Sequence, residues 1–159
     1  IGPMGVGKSS IGLALAKKLN ENFVDTDEAI EKSTGKSVSE IFLEDGEESF
    51  RTLEAKALAD GLKSAGILSL GGGACIPSKA QELIRASSGQ VIFLDISLKE
   101  VSGRIGFDKA RPLLAINPRS QWQNLMEARR PIYESLSDNT ILVDGKSEEE
   151  IVEEILGAS

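Results

Sequence analysis

The sequence predicts an α/β fold, a parallel β-sheet flanked by helices, and three observations carry that expectation. A glycine-rich pattern, Gly2-Pro3-Met4-Gly5-Val6-Gly7-Lys8-Ser9, runs straight into a helical period. Short apolar runs of strand length then alternate with helical stretches, the rhythm of a parallel sheet wrapped on both faces. A length of 159 residues fits one domain that buries about two-thirds of the surface its unfolded chain exposes.

The elements follow in order. Ile11, Leu15 and Leu19, with Ala14 and Ala16 between them, predict a helix from Ser9 to Leu19. Phe23-Val24-Asp25 reads as a short strand, and Asp27-Glu28 as the start of a helix that runs to Lys32 and stops near Gly35. Ser37 and Glu40 resemble a capped start for Ile41-Phe42. Phe50, Leu53, Ala57, Leu58 and Gly61 then give a helical spacing over Gly46 to Leu62. Ile67 to Leu70 and Val91 to Asp95 are buried-strand candidates, with a helix from Ser78 to Ala86 between them. Gly103 to Pro118 has no apolar period and reads as a mobile lid. Beyond it come a helix around Gln121 to Arg130, a strand at Thr140 to Val143 and a helix from Glu148 to Leu156.

The chain opens at Ile1-Gly2, already inside the phosphate loop, where a buried strand ordinarily launches such a loop. The expectation is therefore a truncated first strand and a natural N-terminus lying upstream.

Composition narrows the function. Eighteen Lys plus Arg against 25 Asp plus Glu give a net charge of -7, which repels polyanions, so nucleic acid is not an expected partner. No apolar run approaches the roughly 18 residues of a membrane span. A single cysteine and no secretion signal point to the cytosol. With no histidine in the chain, proton transfer falls to carboxylates, Lys, Tyr or Cys.

In the phosphate loop, glycines let successive backbone N–H groups turn toward phosphate oxygens, and the following helix adds its positive end. Lys8 supplies a charge for the β- and γ-phosphates, and the Ser9 hydroxyl is a hard ligand suited to Mg²⁺. Asp25-Thr26-Asp27 places two carboxylates where a strand gives way to a helix, the edge at which parallel sheets hold ligands. The later strand ends Leu68-Ser69-Leu70-Gly71 without an acid, which leaves Asp25 for the metal, through water, and Asp27 for the acceptor hydroxyl. A helix cap plus a solvated acid is the plainer alternative. Gly71-Gly72-Gly73 admits a ligand close to backbone N–H groups, or is simply a tight turn. Arg51 and Glu54 sit at helical spacing, as a surface pair would. Arg104, Arg111, Arg129 and Arg130 stand out in an acidic chain whose ligands would carry phosphate or carboxylate.

These motifs resemble the shikimate kinase family over essentially the whole chain. The phosphate loop, Asp25-Thr26-Asp27, Asp45-Gly46-Glu47 leading to Phe50-Arg51, Leu68 to Gly73, Arg111-Pro112-Leu113-Leu114 and Arg129-Arg130-Pro131-Ile132-Tyr133 occur in the family's order. The resemblance implies ATP- and Mg²⁺-dependent phosphorylation of shikimate by one P-loop domain spanning 1–159, of the nucleoside monophosphate kinase style. Its substrate-binding helical region covers about 27–62 and its lid about 103–118, and a monomer is expected. It implies Mg²⁺ at Ser9 and Asp25, shikimate at Asp27, Arg51, Gly72 and Arg129, and catalysis by Lys8, Asp27 and Arg111. It also implies ATP at Gly5, Val6, Gly7, Lys8, Ser9, Ser10, Arg104 and Arg111. Gly145 to Glu148 departs from the family's usual adenine wall, so no residue is assigned there. A gluconate kinase would carry a histidine in its substrate motif, a nucleoside monophosphate kinase a base-reading pocket, and a decayed binding module would have lost one of these site residues.

Overall fold

The structure is a computed structural model and describes residues 1–105 and 117–158. Its elements run α1 (Lys8–Leu19), β1 (Phe23–Asp25), α2 (Thr26–Thr34), α3 (Val38–Glu44), α4 (Gly46–Gly61), β2 (Ile67–Ser69), α5 (Ser78–Ala86), β3 (Ile92–Asp95), α6 (Leu98–Arg104), α7 (Pro118–Leu136), β4 (Asn139–Leu142) and α8 (Glu148–Ala158). The fold is α/β with parallel strands, as the alternation predicts.

The strands hydrogen-bond as two parallel pairs rather than as one continuous sheet. Val24 aligns with Leu68 in β1–β2, and Leu94 with Ile141 in β3–β4. Between the facing edges of β2 and β3 lies a cavity of about 380 Å³, lined by Ile67, Leu68, Leu70, Ile92 and Leu94 among others. Ile1 reaches into that gap: its backbone nitrogen donates to the Ile92 carbonyl at 2.8 Å, and Leu94 N–H donates to the Ile1 carbonyl at 2.9 Å.

The main core joins Ile11 and Leu15 of α1, Phe93 and Leu94 of β3, Trp122, Met126 and Tyr133 of α7, and Ile151 and Ile155 of α8. A second, smaller core of Ile30, Ile41 and Phe50 ties α2, α3 and α4 together. The capping box anticipated at Ser37 and Glu40 is present on α3.

Three boundaries differ from the sequence reading. Gly103 and Arg104 belong to α6, and Pro118 opens α7, so both ends of the aperiodic stretch are helical. Helix α6 is too short to show a period, although Ser97 caps it by accepting from Glu100 N–H. Helix α7 does not stop at Arg130 but continues through Pro131 to Leu136. An interior proline costs about 3 kcal/mol. Burial of Tyr133 and Leu136 past it outweighs that cost, at roughly 1.5–3 kcal/mol for each large side chain. Arg129 and Arg130 consequently sit inside a rigid helix rather than after one.

The approach of β2 to β1 depends on Gly66. Its φ is 116°, and a Cβ there would lie 2.3 Å from the Asn22 carbonyl oxygen, the same oxygen that accepts from Ile67 N–H. Gly66→Ala is expected to lower unfolding stability by about 2 kcal/mol or more, through backbone strain and collision. A urea midpoint equal to that of the unsubstituted chain would show that the crossing tolerates a side chain.

Candidate active site

Gly7, at φ 98°, turns the phosphate loop in the left-handed region directly into α1, so the loop's backbone curls over the helix N-terminus. The Lys8 ammonium folds back over this loop and donates to the Pro3 carbonyl at 2.9 Å. Arg104 donates to the Val6 carbonyl at 3.4 Å from the end of α6. The Val6 side chain itself points into the core and is fully buried, so only its backbone belongs to the loop.

A cleft of about 600 Å³ opens beside the loop. It gathers Gly5, Gly7, Lys8, Ser9, Ser10, Asp25, Asp27, Arg51, Gly72, Arg104 and Arg129 on one surface, so most of the residues singled out from the sequence meet there. Arg111 lies outside the described residues. Arg130 is not at the cleft: its guanidinium forms a bidentate pair with Asp95 at 2.7 and 2.9 Å.

The two aspartates have different surroundings. Asp25 is nearly fully buried, and its Oδ1 accepts from the N–H groups of Asp27 and Glu28, capping α2. Its Oδ2 accepts from the Ser9 hydroxyl at 2.6 Å. The helix-cap alternative is thus correct for Asp25, and the same carboxylate still faces the phosphate loop. Ser9 and Asp25 together offer two adjacent hard oxygens, which suits Mg²⁺, an ion commonly held by one or two carboxylates plus substrate phosphates.

Asp27 is not a solvated acid. Its Oδ1 is buried without a hydrogen-bond partner among the described residues. Burial, followed by the neighbouring charges of Asp25 and Glu54, raises its pKa from an ordinary 3.8 to about 6. The glycine run makes room for it, since a Cβ at Gly71 would lie 2.9 Å from that Oδ1. Thr26, fully buried between the two acids, accepts from Gly71 N–H at 2.9 Å and so fastens the glycine run to the end of β1.

On the far side, Arg51 donates to Glu54 at 2.7 Å, and Glu54 is only 3 % exposed. This is a built ion pair rather than the surface pair that the spacing alone allows. Burial raises the Glu54 pKa, while Arg51 and Arg129 pull against that. A Cβ at Gly73 would strike Arg51 Nη1 at 2.6 Å, so the glycine run also accommodates the guanidinium. Val38, Phe42, Phe50 and Glu31 complete this wall, and none was singled out as a site residue from the sequence. Phe42 and Phe50 carried a signal as apolar residues of α3 and α4, but periodicity marks core and cleft alike.

A phosphate loop, hard oxygens at its helix N-terminus and a cleft bearing an unpartnered carboxylate together define a small-molecule kinase of the P-loop class. Comparison with known proteins narrows the class. A family model for shikimate kinase matches residues 4–158. The shikimate kinase of Streptomyces coelicolor is 43% identical over 159 residues, covering 99% of this chain and 92% of that protein. That of Thermobifida fusca is 41% identical over 154 residues, covering 96% and 88%. Among solved structures, shikimate kinase from Acinetobacter baumannii in complex with shikimate superimposes with a TM-score of 0.93 at 34% identity, covering 98% of this chain and 87% of that one. The Aquifex aeolicus enzyme gives 0.86 at 36% identity, covering 99% and 92%. The chain belongs to the shikimate kinase family.

The isolation of Asp27 has a consequence for stability. The folded chain holds the Asp27 proton more tightly than the unfolded chain does, so the native state binds more protons between pH 3.8 and about 6, and stability falls as pH rises through that window. Asp27→Asn should therefore stabilise the ligand-free protein on the order of 1–3 kcal/mol at pH 8 and have little effect near pH 4. Thermal melts of both proteins across pH 4–8 check this; an Asn variant no more stable at pH 8 would contradict it.

Proposed function

We propose how the cleft performs the activity that family membership gives the chain, the ATP-dependent phosphorylation of shikimate at its 3-hydroxyl to shikimate 3-phosphate, on the route to chorismate and the aromatic amino acids. The observation that carries the reading is the Asp27 carboxylate, with one oxygen buried and unpartnered among the described residues, lining a cleft that has the phosphate loop on one side and a held arginine on the other.

The phosphate loop and Lys8 take the ATP phosphates, with Arg104 steadying the loop at Val6 and lying on the nucleotide side. Ser9 and Asp25 would hold Mg²⁺, which would supply positive charge against the ATP phosphates. Asp27 accepts a hydrogen bond from the shikimate 3-hydroxyl, aligns its oxygen with the γ-phosphorus and takes its proton as the new O–P bond forms and the bond from the γ-phosphorus to the bridging oxygen breaks, releasing ADP. A carboxylate with a raised pKa is better matched to that last task than an ordinary one. Arg51, held by Glu54, and Arg129 receive the shikimate carboxylate, because planar guanidinium groups bind carboxylates in two parallel hydrogen bonds. Gly72 presents its backbone to the same ligand. Arg111 closes on the transferring phosphate, a role that rests on the family motif alone.

The chain works in this reading as one domain and a monomer in the cytosol, with residues 27–62 binding substrate and a lid at about 103–118. Nucleic acid and membrane are not partners. Among the described residues no helix is long and apolar enough to cross a membrane.

A coupled ADP-release assay with Mg²⁺·ATP against shikimate, gluconate and nucleoside monophosphates tests the substrate. Turnover is expected with shikimate alone, and equal or greater turnover with another acceptor would overturn the assignment. Asp27→Asn should then lower kcat with shikimate at least about 10²-fold while leaving Mg²⁺·ATP binding intact, since Asn keeps the shape but turns an N–H donor toward the hydroxyl. Retained kcat would remove Asp27 from the reacting centre.

A further inference from the structure

Tyr133 lies wholly inside the protein on α7, yet it carries a hydroxyl that packing does not require. Its ring fills a core position against Phe93, with centroids 5.2 Å apart, and a phenylalanine would fill the same volume. A buried hydroxyl costs free energy unless it is bonded. Here it donates to the Gly72 carbonyl at 2.5 Å, across 61 residues of sequence. The Arg129 guanidinium, one helical turn earlier on α7, is near enough that its positive charge works against the burial that raises the Tyr133 pKa. Arg129 also lies beside the glycine run, with Nη1 3.5 Å from where a Cβ on Gly72 would stand. The phenol therefore bonds to Gly72 at the point where Arg129 lies beside it, and both Gly72 and Arg129 line the cleft.

We propose that Tyr133 is a positioning residue for the acceptor subsite, its hydroxyl fixing the Gly72 peptide and the Arg129 guanidinium relative to each other so that the acceptor's carboxylate meets a preformed pair. Peptide planarity makes the first half effective: pinning the Gly72 carbonyl also fixes the plane that it shares with Gly73 N–H. The second half follows from geometry, since a guanidinium grips a carboxylate with both forks only when its plane is held. Tyr133 touches neither reactant and acts through these two groups. The proposal rests on the reading that Gly72 and Arg129 receive shikimate.

Tyr133→Phe keeps the ring and removes only the oxygen. The expected result is a rise in the KM for shikimate of about 5- to 20-fold, with kcat and the KM for ATP within about twofold, the signature of lost binding that is equal in ground and transition states. An analogue whose carboxylate is reduced to a hydroxymethyl group should lose much less between the two proteins. An unchanged shikimate KM, or ATP and shikimate weakened alike, would overturn the proposal, as would an analogue penalised as much as shikimate. A second measurement needs no variant. Tyr133 is the only tyrosine of the chain, so the ring signals of tyrosine-labelled protein should shift on adding shikimate alone and much less on adding ATP alone. Unmoved signals at saturating shikimate would also overturn it. Absence of shikimate turnover by the unsubstituted enzyme would instead refute the assigned function, so the two failures are distinguishable.

Discussion

Holding several carboxylates close together out of water is the constraint on which the rest of this structure depends. Each buried anion needs partners, and like charges nearby raise the cost. Asp25 meets the need with two backbone N–H groups and the Ser9 hydroxyl, and Glu54 meets it with Arg51. Asp27 has an oxygen left without a partner beside both. Among the described residues that line the cleft, the acids Asp25, Asp27, Glu31 and Glu54 are matched in number by Lys8, Arg51, Arg104 and Arg129, yet one Asp27 oxygen still has no hydrogen-bond partner among them. Burial, followed by the charges of Asp25 and Glu54, is what raises the Asp27 pKa.

Helix α7 is the strut that keeps this arrangement in place. Trp122 donates its indole N–H to the Met4 carbonyl of the phosphate loop, Arg130 grips Asp95 at the end of β3, and Tyr133 holds the Gly72 carbonyl. One helix thus reaches the phosphate loop, a strand end and the glycine run. Thr26 adds a second tie, from β1 to Gly71. The rigid side of the cleft is built from these few long-range bonds. The Arg51 side rests on the smaller core of α2, α3 and α4.

Local chemistry made much of this legible beforehand. The phosphate loop is contiguous, so its glycines, Lys8 and Ser9 can be read without tertiary information, and the caps at Asp25 and Ser37 lie within a few residues of what they cap. What lay beyond reach was long-range. Glu54 looks like half of a surface pair because spacing does not reveal burial, and the hydroxyl of Tyr133 gains meaning only from a glycine far away in sequence. The helix read around Gln121 to Arg130 in fact continues through Pro131 to Leu136, a strong local breaker overruled by core packing on either side of it. The separation of the strands into two pairs likewise depends on which edges meet, and no single segment encodes that.

The central claim is that Asp27 is kept an unusually basic carboxylate by burial and by its acidic neighbours. It is tested most directly by an NMR titration of the Asp27 side-chain carboxyl in the ligand-free protein, with the signal assigned by its loss in Asp27→Asn. The account predicts a midpoint at about 6. A midpoint near the ordinary 3.8 would contradict it, leaving Asp27 no more basic than a surface aspartate.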